Sequence, residues 1–62
     1  MIKTFTFSDF ECHDMAVMLR AAADTYDRDA IRIVPLGFPE QATEFRSLAV
    51  RARAYAATLE AS

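Results

Sequence analysis

The larger apolar residues of this chain recur at steps of three and four rather than in alternation, a period that predicts helices. From Phe38 to Leu59 they fall at Phe45, Leu48, Ala52, Tyr55 and Leu59, with Ala49 and Ala56 beside the row. In the first half they fall at Cys12, Met15, Leu19, Ala22, Tyr26 and Ile33, with Ala16, Ala23 and Ala30 alongside. Each set occupies one stripe of a helix. Alanine rows let backbones approach closely, so the pattern predicts an all-α antiparallel hairpin with helices over about 9–33 and 39–60.

The helix boundaries carry their own signals. Ser8-Asp9-Phe10-Glu11 has the spacing of a capping box, in which the Ser8 hydroxyl and the Glu11 carboxylate each accept from the other residue's backbone N–H. Phe7 and Cys12 stand at the flanking staple positions. Asp9, Glu11 and Asp14 favour the positive end of the helix dipole. Pro35, Leu36, Gly37 and Phe38 form the turn, and Pro39 suits the first position of the second helix, where its missing N–H costs nothing.

Two stretches resist the helical period. Met1 to Phe7, MIKTFTF, alternates like a strand, with Phe5 and Phe7 on one side and Thr4 and Thr6 on the other. Ile31-Arg32-Ile33-Val34 is β-branched, and Pro35 biases Val34 away from helical geometry. A small β-α-β-α arrangement with strands at 2–7 and 30–34 is therefore the alternative. The continuous helix is preferred, because Ala30 and Ile33 extend the stripe in register.

Sixty-two residues make a single small domain, 1–62, near the lower limit for one hydrophobic core. Chains this short usually add disulfides, a metal or a partner subunit. The chain has one cysteine, Cys12, and one histidine, His13, which excludes an internal disulfide and any ordinary structural zinc site. With 53% hydrophobic residues, it carries more apolar surface than a lone hairpin hides. The expectation is a homodimer, two hairpins forming a four-helix bundle. Its self-association seam would be Met15, Leu19, Tyr26, Phe45, Leu48, Tyr55 and Leu59.

Charge narrows the partners. The net charge is −2, the pI is about 5.1, and no Lys/Arg cluster gives a nucleic-acid footprint. The run MIKTFTFSDF lacks a basic n-region and a continuous apolar h-region, and no apolar stretch approaches spanning length, so a cytoplasmic protein without membrane contact is expected. Six acids oppose three arginines between Ser8 and Ile33; among them Asp24, Asp27 and Asp29 give the first helix an acidic side. Asp24 is expected to pair with Arg20 or Arg28, four residues away on the same helix.

Candidate chemistry is sparse. Asp9 and His13 sit one helical turn apart, but two ligands do not make a metal site. Cys12 and His13, adjacent in sequence, diverge by about 100° on a helix and so form no nucleophile-base pair. Arg46 and Arg53, seven apart, share a face that could take an anion, with Tyr55 as a further contact. The chain shows no triad, glycine-rich phosphate loop or paired-carboxylate arrangement, and no cofactor is expected. Val17, Met18, Ile31 and Val50 fall off the main stripes and are assigned to an interface with a host or partner protein.

The reading that follows is a non-enzymatic interaction module acting through self-association and partner binding. In size and acidic style it is similar to proteins encoded by phages and mobile elements, including inhibitors of bacterial defence such as anti-CRISPR proteins; the likeness carries over no residues. The alternative is an oligomeric protein that binds a small anionic ligand or nucleotide.

Overall fold

The computed structural model describes residues 6–61, which form two antiparallel helices, α1 (Asp9–Ile33) and α2 (Pro39–Ala61). At 1.5 Å per residue they run about 37 and 34 Å, and they pack side by side over their length. The helices are those the apolar period predicts, to within a residue or two. No strand occurs among the described residues. Residues 30–33 are helical, so the β-α-β-α alternative fails at its second strand: Ala30 is fully buried as the last of its row, and that packing outweighs β-branched propensity. Most of the first proposed strand lies outside the described residues, and Thr6 and Phe7 are in no regular structure.

The Ser8 device forms as read. The Glu11 N–H donates to Ser8 Oγ at 3.2 Å and the Ser8 N–H donates to Glu11 Oε1 at 3.1 Å. The hydrogen bonds from the Ser8 backbone, then from its side chain, hold the Glu11 carboxyl below its ordinary value of 4.5. Replacing Ser8 by alanine is expected to cost about 1 kcal/mol of stability. Two-dimensional NMR titration should then show the Glu11 carboxyl returning toward the ordinary value.

The turn closes by a Schellman pattern. The Phe38 N–H donates to the Ile33 carbonyl at 3.2 Å and the Gly37 N–H to the Val34 carbonyl at 3.1 Å. Gly37 supplies the left-handed φ of 94° that this closure requires. Val34 stays in the right-handed helical region despite preceding Pro35, because these bonds and the short span to α2 outweigh the local bias. Pro39 opens α2 as expected, after Phe38 accepts the first helical bond from Ala42.

The core consists of small side chains alone. Ala16, Ala23, Ala30, Ala42, Ala49 and Ala56 are fully buried and Ala52 nearly so, while among the described residues no larger side chain is fully enclosed. The two sets of three repeat every seven residues. Ala23 and Ala49 pack in one cluster. Counted along both helices from that pair, Ala16 falls level with Ala56 and Ala30 with Ala42, and in each pair the residue numbers add to 72, twice the number of the turn residue Leu36. The helices therefore meet along two alanine rows in one register. The alanine-lined pairing expected from the sequence is the one that forms, and the large residues flank it. Short of glycine, a methyl group permits the closest helix approach, and that approach displaces bulkier groups sideways.

Candidate functional site: a hairpin with two unlike faces

Displacement of the large side chains has a direction. Counting about 100° per residue from the alanine row, Met15, Leu19, Ala22, Tyr26 and Ile33 turn to one side of α1. Leu48, Tyr55 and Leu59 turn to the same side of α2. Leu19, Ala22, Tyr26, Leu48, Arg51, Ala52 and Tyr55 line one shallow groove between the helices, and Met15, Met18, Leu19 and Ala22 line a second, adjoining it. Tyr26 and Phe45 pack across the hairpin with ring centroids 5.7 Å apart and planes tilted by 46°. Tyr55 remains 58% exposed and Leu48 36%. All seven residues assigned to the self-association seam thus belong to one face, built jointly by both helices.

The opposite face is ionic. Arg20 Nη1 donates to Glu60 Oε1 at 2.5 Å. Arg53 bridges two acids of α1, with Nη2 2.9 Å from Asp24 Oδ1 and Nη1 2.7 Å from Asp27 Oδ2. The His13 imidazole lies 3.8 Å from Glu60, an ion pair whenever it is protonated. Asp24 therefore pairs across the hairpin, not with Arg20 or Arg28 along its own helix: Arg53 reaches Asp24 and Asp27 together, whereas pairing along α1 would hold one acid at a time. Asp29 is held by Arg32 at 3.1 Å. The acidic side expected of α1 is consequently neutralised acid by acid.

Hydrogen bonding from Arg20, then the charges of Arg20 and His13, lowers the Glu60 carboxyl below 4.5. A carboxyl with a depressed folded-state pKa stabilises the fold fully above its unfolded value and loses that contribution as pH falls through the folded value. Stability should therefore decline below about pH 4.5, where Glu11 and Glu60 both take up protons. Glu60→Gln should narrow the difference between urea midpoints at pH 7 and pH 3; an unchanged difference would remove Glu60 from this account.

The residues assigned to a separate partner interface divide between the faces. Met18 joins the apolar groove. Val17 and Ile31 turn away from it on α1, and Val50 turns away on α2, all three exposed. By the same count these three turn to the ionic side, so the four residues do not form one patch with Met18. Nor do the candidate anion contacts converge: Arg46 and Arg53 point to the ionic side, Arg53 is occupied by two carboxylates, and Tyr55 lies on the apolar side.

Asp9, Cys12, His13, Leu59 and Glu60 line a cleft at the open end of the hairpin. Among the described residues, no group of three or more His, Cys, Asp or Glu side chains could hold a metal. No described helix is long and apolar enough to cross a membrane. Sequence reasoning missed Glu60, which anchors the ionic face; the shared register of the alanine rows was the signal, since it brings the end of α2 against the start of α1. No family model, curated protein or solved structure matches this chain.

Proposed function

We propose that this protein is a non-enzymatic interaction module that works through self-association, two hairpins joining by their apolar faces into a four-helix bundle. The observation that carries the reading is the segregation of large apolar side chains to one face of a hairpin whose own core is all alanine. A monomer leaves the bulk of its hydrophobic surface unused. Its surface of 4992 Å² exceeds the roughly 4,000 Å² of a compact monomer of this mass. The surplus is comparable to the roughly 800 Å² each partner contributes to a standard interface.

Self-association leaves Val17, Ile31 and Val50 outside the bundle, available to a host or partner protein. Multi-angle light scattering over a concentration series tests the central claim. A mass near twice 7.0 kDa at micromolar concentration is expected. A well-folded species of single mass throughout would defeat it.

A further inference from the structure

We propose that the apolar face is covered by a second copy laid with its turn at the opposite end, α2 upon α2, and that Glu44 of each copy pairs with Arg51 of the other. This rests on the self-association reading and adds to it a sense, a register and the residues that select them.

Two charged residues of α2, Glu44 and Arg51, border the apolar face. Among the described residues neither Glu44 nor Arg51 makes an ion pair, whereas Arg20, Arg53, Asp24, Asp27 and Glu60 on the opposite face are all paired. At about 100° per residue both lie on the outer border of α2, just beyond Leu48 and Tyr55, and Arg51 lines the groove itself. They carry opposite charge and stand seven residues apart. A helix bearing such a pair complements itself when laid antiparallel: with the two-fold axis beside Leu48, Glu44 meets Arg51 of the second copy and Arg51 meets its Glu44.

The other face-to-face arrangement puts both turns at one end and lays α2 on the second copy's α1. The register in which opposed numbers add to 72 then sets Glu44 level with Arg28 of that copy, which turns to the ionic side, and one residue from Asp29, which turns to the apolar border, so that acid borders acid there. Arg51 falls level with Ala21 and finds no carboxylate. Like charges placed opposite one another discriminate between docking modes more strongly than attractive pairs reward them. The opposite-end arrangement has a further consequence for the turn. It sets the exposed Val34 and Leu36 level with Met15 and Leu59 of the second copy, extending apolar cover toward the open end.

Charge reversal tests the register. Glu44→Arg and Arg51→Glu should each weaken dimerisation at least about tenfold by sedimentation equilibrium, and the double variant should return to within about threefold of the parent. An equimolar mixture of the two single variants should form heterodimers in preference to either homodimer, since both cross-pairs are then attractive. As a second measurement, Leu48→Cys in a Cys12→Ser background should form an intermolecular disulfide under mild oxidation. Residues beside a two-fold axis come within the roughly 7 Å Cα separation that a disulfide spans, and the same-end arrangement puts them on opposite edges.

Single reversals that dimerise like the parent, or mixtures without heterodimer preference, would overturn the register and leave self-association standing. A parent chain that is monomeric throughout the micromolar range would overturn both.

Discussion

Replacing Ala49 by leucine is expected to destabilise the hairpin by about 3 kcal/mol, the upper part of the range for forcing extra carbons into a tight contact. Ala49 is fully enclosed and packs in one cluster with Ala23 and Ala52, against which Leu19 and Tyr26 lean. Three added carbons have no space there. Either the helices separate, loosening the contacts of Ala42 and Ala56 on the same row, or the leucine adopts a strained rotamer. For a domain of this size the loss corresponds to a fall in melting temperature of more than about 10 °C. Ala54→Leu is the control: Ala54 faces outward on the same helix, and its enlargement should stay within about 0.5 kcal/mol of the parent. Both variants are to be melted at one protein concentration, because the melting temperature of a self-associating chain depends on it. Equal stability of the two would mean that alanine is not the contact surface.

Leu48→Asp is expected to have the largest effect on assembly and a small one on the hairpin. Leu48 is 36% exposed in the single hairpin, so an aspartate there can remain hydrated and the far-ultraviolet helical signal should persist. In the bundle, two carboxylates would sit at the centre of an apolar interface without partners. Burying such charges costs several kcal/mol, which corresponds to a dissociation constant raised at least about 100-fold. Val50→Asp supplies the contrast, since Val50 is exposed on the other side of α2 and its substitution should leave the solution mass unchanged. If Leu48→Asp kept the parent's mass while Val50→Asp halved it, the interface would lie on the ionic side.

These two substitutions separate the two roles that the sequence pattern merges. A row of alanine beside a row of large residues is visible in each half of the chain, and both rows have helical spacing. Their spacing is shared, and it is the small size of alanine that marks its row as the one turned toward the other helix. The capping box at Ser8 and the proline at the start of α2 were legible because they depend on residues within one turn of each other. Glu60 and Arg53 were not, since their partners lie 40 and 29 residues away and only the register of the two helices brings them within reach. For the same reason Arg46, Arg53 and Tyr55 looked like neighbours in sequence and proved to point to opposite sides.

What the sequence determined by itself is the number of helices, their ends, and the existence of an apolar surplus, all properties of local spacing and composition. What the tertiary structure decided is where that surplus goes. Two backbones drawn together over methyl groups leave the large side chains no room between them. The helices then twist their broad apolar rows to one common side and their charges to the other, and a chain of two similar stripes becomes a hairpin with two different faces.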